Sequence, residues 1–180
     1  MQVFRRPRPG VQAVPSGCVA TIGVFDGIHR GHQRILDRVL QAAARLGLPS
    51  LVFSFEPTPQ EVMSPLRAPA RLMRLREKVL VLGEAGIAHL YCPPFERALQ
   101  ELEPGECIER LLVRTLGVRH LVVGDDFRFA RGRTGNFEYL AAGGRQYGFG
   151  VEQVGSVTAG SLRVSSTAIR NALAIGDLAT

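Results

Sequence analysis

The chain has 180 residues, 46% of them hydrophobic and 21% charged, which is enough for one domain with a substantial core. Its formal charge is +6 and Lys78 is the only lysine, so the positive charge is almost wholly arginine, the side chain best shaped for bidentate phosphate contacts. No apolar run reaches the roughly 18–20 residues of a membrane span, the arginine- and proline-rich start Met1–Gly10 lacks the apolar stretch of a secretory signal, and Cys18, Cys92 and Cys107 are too scattered for a disulfide framework or zinc cluster, so the expected compartment is the cytoplasm.

Cys18–Val24 reads as a buried strand running into a glycine-containing turn. A helix is predicted over 30–46, where Ile35, Leu36, Val39, Leu40 and Ala43 share one face and Gly47 supplies the stop. Ser50–Phe55 is a second strand, ended by Pro57 and Pro59. A helix over 72–84 and a short strand over 88–91 follow, and Pro93 and Pro94 break the chain again. Residues 103–116 read as helix, 120–123 as a fourth strand, 136–147 as helix, 149–154 as a fifth strand and 165–174 as a last helix with a hydroxyl cap. Strands alternating with helices imply a mainly parallel sheet, covered on both faces, with its ligand crevice beyond the carboxyl ends of the strands.

Three motifs fall at such ends. Gly23-Val24-Phe25-Asp26-Gly27-Ile28-His29-Arg30-Gly31-His32 joins the first strand to its helix. Two imidazoles three residues apart at a helix start lie near one another, beside N–H groups that attract anions, and Gly31 admits a phosphate close to the backbone. A helical zinc signature would need an i, i+4 pair and a third ligand. Arg163-Val164-Ser165-Ser166-Thr167-Ala168-Ile169-Arg170 opens the last helix with three hydroxyls flanked by arginines, which suits phosphate oxygens; taken alone it also reads as an ordinary cap. Gly124-Asp125-Asp126-Phe127-Arg128-Phe129-Ala130-Arg131-Gly132-Arg133-Thr134-Gly135 combines paired carboxylates with interleaved Phe and Arg. Those residues can hold Mg²⁺-bound phosphates or a ribose and stack on a flat ring, or can form a solvated basic loop. Phe53-Ser54-Phe55-Glu56-Pro57-Thr58-Pro59 is a weaker fourth segment, equally readable as a strand terminator.

These motifs, TIGVFDGIHRGHQ, VGDDFRFARGRTG and RVSSTAIRNAL with FSFEPTP between them, resemble the adenylyltransferase module of the prokaryotic FAD synthetase family over about residues 10–178. The resemblance implies a Rossmann-like nucleotidyltransferase fold, α/β with a mainly parallel sheet and helices on both faces. It implies transfer of AMP from ATP to FMN, giving FAD and pyrophosphate, with Mg²⁺ on the phosphates. His29, His32 and Arg170 would act on the transferred phosphate. Gly23, Phe25, Asp26, Gly31, Arg163, Ser165, Ser166 and Thr167 would hold ATP, and Pro57, Pro59, Asp126, Phe127 and Phe129 would face FMN. The metal ligands are not specified.

Val24, Thr58, Met63 and Ala130 depart from residues common in that family, namely Asn, His, an aromatic and Gly. The riboflavin kinase domain that usually follows this module has no counterpart within 1–180, so residues 1–180 are expected to form a single transferase domain whose kinase partner would lie C-terminal in a longer protein. Small-molecule nucleotides are the expected partners, with no membrane and no nucleic acid. An adenylyl- or cytidylyltransferase of the same superfamily with another phosphate acceptor, and a basic nucleic-acid-binding module, are the rival readings. Against the second, the arginines are dispersed and no RNA-binding aromatic signature occurs.

Overall fold

The computed structural model describes residues 1–6 and 11–177; residues 7–10 of the arginine- and proline-rich start and the last three residues lie outside the described part. Six strands form one parallel sheet: β1 (Gln2–Phe4), β2 (Cys18–Ile22), β3 (Ser50–Phe53), β4 (His89–Tyr91), β5 (Val118–Gly124) and β6 (Gly150–Val154), in the spatial order β1-β4-β3-β2-β5-β6. The helices are α1 (Arg30–Leu46), α2 (Pro59–Met63), α3 (Leu75–Glu84), α4 (Arg97–Gln100), α5 (Pro104–Glu106), α6 (Phe137–Tyr147) and α7 (Ser166–Ile175). A small antiparallel hairpin, β7 (Thr158–Ala159) with β8 (Leu162–Arg163), leads into α7.

Alternation along the strands divides the core in two. Cys18, Ala20, Ile22, Leu51, Phe53, Leu121 and Val123 point into one cluster, packed with Ile108, Leu112 and Leu140. Val19, Val52, Leu90 and Val122 point the other way, against Leu36, Val39 and Ala43 of α1 and Leu82 of α3. Both faces of β2 and β3 are therefore dry, which is why these strands read as continuous apolar runs. The order reverses between β2 and β5: the chain moves outward through β3 and β4, then crosses back to β5 on the opposite side of β2. That switch point opens the crevice in which such sheets bind ligands.

The main elements follow the sequence reading, with informative departures at their ends. The helix predicted from Leu72 begins at Leu75, because the Leu72 and Met73 N–H groups donate to the Asp26 carboxylate instead of starting a helix. The Glu77 carboxylate then accepts from the Arg74 N–H at 2.7 Å. Residues 107–115 are wound more widely than an α-helix, and the Leu116 N–H reaches back five residues to the Leu111 carbonyl. The amino terminus also supplies a strand, β1, paired in parallel with β4. Composition alone marks these residues only as a charged start.

Gly144 shows how closely α6 lies on its neighbours: a methyl group there would sit 2.5 Å from the Phe149 carbonyl oxygen. Gly144→Ala gains about 1 kcal/mol of helix propensity, but the clash with backbone outweighs it. A net loss of about 1–2 kcal/mol is expected, and a melting temperature lower by roughly 2–8 °C. A variant melting at or above the parent would show that α6 can lift from this contact without cost.

Candidate functional site

A cleft of about 270 Å³ opens at the carboxyl ends of β2, β5 and β6. Gly23, Phe25, His29, Gly31 and His32 line one side; Arg163, Val164, Ser165 and Ser166 line another; Asp125, Asp126 and Phe127 complete the wall. The two helix starts therefore meet. Gly31 stands between them: a Cβ at that position would lie 3.2 Å from the His29 ring and 3.7 Å from the Val164 carbonyl oxygen.

The loop before α1 is bent sharply. Phe25 and Ile28 adopt φ of 51° and 37°, a region bulky side chains rarely enter, with Gly27 at 85° between them. The bend buries the Phe25 ring under His32, centroids 4.8 Å apart, and stacks His32 on His29 at 3.7 Å and 18°. His29 caps α1, its Nδ1 accepting the His32 N–H at 3.3 Å, which leaves the proton of the neutral ring on Nε2. Burial pushes the His29 pKa down, the nearby Arg163 charge adds to that, and the backbone hydrogen bond opposes it. His32 is pushed down to about 3, chiefly by burial, then by His29 and Lys78. Both rings are neutral at pH 7 and present N–H donors rather than transferable charge. Among the described residues His32 Nδ1 is buried without a partner.

At the start of α7 the cap alternative of the sequence reading is the one seen for Ser165. Ser165 Oγ accepts the Ala168 N–H, so this hydroxyl caps the helix. Ser166 Oγ donates to the Asp26 carbonyl at 2.8 Å, tying α7 to the histidine loop. What α7 offers an anion is its first-turn N–H groups and its dipole. Arg163 pairs with Asp126 at 2.6 Å and Asp125 at 3.4 Å. Asp125 also accepts from Ser156 Oγ and N–H, and these bonds, ahead of the arginine, hold its carboxyl below the usual range.

Several expected site residues stand elsewhere. Asp26 is buried below the cleft and does not line it; its carboxylate accepts from the Leu72 and Met73 N–H groups and pairs with Arg170. Arg170 also donates to the Ala70 carbonyl at 2.6 Å, so it is engaged in the scaffold. Thr167, Pro57, Pro59 and Phe129 are likewise outside the lining. Pro59 opens α2, which Thr58 caps reciprocally with Glu61. Phe129 is core, stacked against Phe127 with centroids 5.7 Å apart, so only Phe127 of that pair reaches the cleft. Conversely, Gly155, Ser156 and Val157 line the site unforeseen. They follow β6, and the rule that ligands lie beyond strand ends could have found them.

A sequence model of the FAD synthetase family matches residues 11–168. The bifunctional riboflavin kinase/FMN adenylyltransferase of Pseudomonas fluorescens is 50% identical over 161 residues, covering 89% of this chain and 51% of that protein. Its Escherichia coli (strain K12) counterpart is 45% identical over 168 residues, covering 93% and 54%. This chain thus spans about half the length of the curated relatives it matches. Among solved structures, a Streptococcus pneumoniae protein described as a macrolide-efflux protein superposes with a TM-score of 0.85 at 26% identity, over 99% of this chain and 59% of that one. Among the described residues no helix is long and apolar enough to cross a membrane. A pantoate-beta-alanine ligase from Francisella tularensis, TM-score 0.55 at 12% identity over 91% of this chain and 70% of its own, shares the fold.

Two predictions follow from the site's geometry. Ala130 holds φ 66° and ψ −174°, a conformation essentially reserved for glycine. Ala130→Gly removes a strain of about 1–3 kcal/mol and adds less than ~1 kcal/mol of unfolded-chain entropy, so the variant should melt roughly 2–4 °C higher; a lower melting point would contradict the strained geometry. The second concerns acid. The folded chain refuses a proton at His32 until pH is about 3, whereas the unfolded chain accepts it near 6.5. Between those values only the unfolded state is protonated there, so stability falls as pH falls. His29 and His89 are shifted down too and act in the same direction. The melting temperature should drop from pH 7.5 to pH 5, above the carboxylate range, and His32→Gln should drop less steeply. Parallel curves would rule out a buried neutral His32.

Proposed function

Because this chain belongs to the FAD synthetase family, we propose that its cleft joins the AMP half of ATP to FMN, giving FAD and pyrophosphate. The observation that carries this reading is the meeting of two helix starts, one bearing stacked neutral imidazoles, at a single cleft. An FMN phosphate oxygen attacks the α-phosphorus of ATP, a P–O bond forms, and the bond to the β-phosphate breaks as pyrophosphate leaves. No proton need move at either reacting oxygen, so the work required is positioning and charge stabilisation. The histidine donors and the first-turn N–H groups of α1 and α7 hold oxygens of the triphosphate. Arg163 faces the same anions, and Asp125 and Asp126 keep it extended along the wall. Phe127, backed by Phe129, offers a flat contact to the isoalloxazine ring, and Pro57 and Pro59 stand as the further flavin-facing candidates. Arg170 serves by fixing α7.

Mg²⁺ belongs to the same proposal. Among the described residues no three His, Cys, Asp or Glu side chains gather as a metal cage, and the nearest carboxylates at the cleft, Asp125 and Asp126, are engaged with Arg163. That donor set suits an ion that arrives on ATP, held by phosphate and water oxygens. A reaction fed by ATP and FMN belongs in the cytoplasm. The relatives' names pair this activity with riboflavin kinase, and we assign that step to a separate C-terminal domain.

Incubation with ATP, Mg²⁺ and FMN should yield FAD by chromatography. Loss of His29 removes one oriented donor and the α1 cap, so His29→Ala should lower kcat by at least about tenfold in a folded protein. No FAD from the parent, or an undiminished kcat in the variant, would overturn the assignment or the histidine's role respectively.

A further inference from the structure

Lys78 lies in the interior of α3, 2% exposed. Its Nζ donates to the Val24 carbonyl at 2.7 Å and to Ser54 Oγ at 3.1 Å. Ser54, itself fully buried, donates its hydroxyl to the same carbonyl at 3.0 Å. Two donors, one from α3 and one just after β3, thus converge on one backbone oxygen just past the end of β2. Among the described residues no carboxylate makes a contact ion pair with this ammonium; Asp26 and Glu56 act on it only as charges at a distance. Burying a charge without an ion-pair partner is costly. A methionine of similar length would pack α3 against the sheet without that cost.

What the ammonium gains is control of a peptide plane. The Val24 carbonyl belongs to the peptide whose nitrogen begins Phe25, so fixing its direction fixes φ at Phe25. That residue holds φ 51°, a strained value for a bulky side chain. Turning the peptide over would take the ring out from beneath His32. From these contacts we infer that Lys78 is a positioning residue for AMP transfer: it pins the Val24 carbonyl, and so the left-handed turn at Phe25 on which the two stacked imidazoles rest. The inference rests on the adenylyltransferase reading. It also explains why a valine can stand at position 24, where the family often has Asn: the fold uses this residue's carbonyl, and its side chain is exposed. The Lys78 charge further disfavours protonation of His32.

The test compares the full chain with Lys78→Met. FAD formation by the parent is measured first, and the imidazole ¹H–¹³C resonances of His29 and His32 are recorded for both proteins. A folded variant should lose the ring-current shift that Phe25 imposes on His32. Its kcat should fall at least about tenfold, with the KM for ATP within about threefold. Unchanged histidine resonances and kcat, with only a lower melting point, would show that Lys78 merely packs the interior, and would overturn the inference. If the parent makes no FAD, the functional reading fails on its own and the resonances alone decide the positioning role. If Lys78→Met does not fold, Ser54→Ala removes the second donor to the same carbonyl. A smaller shift of the same resonances and a smaller fall in kcat are then expected, and no change in either would overturn the inference.

Discussion

The site exists because one buried carboxylate has more partners than it has oxygens. Asp26, 7% exposed, accepts from two successive backbone N–H groups at Leu72 and Met73 and pairs with Arg170 of α7. Its own carbonyl takes the Ser166 hydroxyl. Three segments far apart in sequence are thereby joined at one residue: the loop after β2, the stretch before α3 and the start of α7. A buried anion satisfied this fully is stable where it is, and removing one partner would leave it uncompensated, at a cost of about 3–5 kcal/mol. The convergence of two helix starts on one cleft is a consequence of that junction.

Polar groups around the cleft divide by what they touch. His29, His32 and the first-turn amides face inward, while the side chains of Asp26, Arg170 and Ser166 are spent on bonds that tie the two walls together. The same division recurs at the proposed flavin side. Phe127 reaches the cleft and Phe129 stands behind it in the core, held against Gly135, where any side chain would strike its ring. Thr58, which departs from the common histidine, serves here as the cap of α2.

Much of this could be read before the fold was known, for a physical reason. β2, β3 and α1 bury nearly everything they contain or a clean face of it, so composition and period revealed them. The GVFDGIHRGH segment announced itself because glycines, histidines and a strand end are informative together. What stayed hidden depends on partners distant in sequence. Nothing local to Arg170 tells that it will meet Asp26, 144 residues away, rather than a phosphate. The lone lysine looked incidental, and only its depth shows otherwise. β1 is three residues long and becomes a strand only because β4 offers it an open edge. Ser156 entered the site with β6, and a serine after a glycine carries no chemical flag.

The last helix has a thermodynamic character of its own. No residue of α7 is fully buried, Leu173 and Ile175 remain largely in water, and its hold on the body is polar, through Ser166 and Arg170. Detaching such an element exposes little hydrocarbon, so its heat capacity of release is small and its grip changes little with temperature. Its charged joint, Arg170 on the buried Asp26, is also shielded from dissolved ions, which weaken it far less than they would a surface pair. One wall of the cleft is thus fastened by a joint that neither warming nor brine readily loosens.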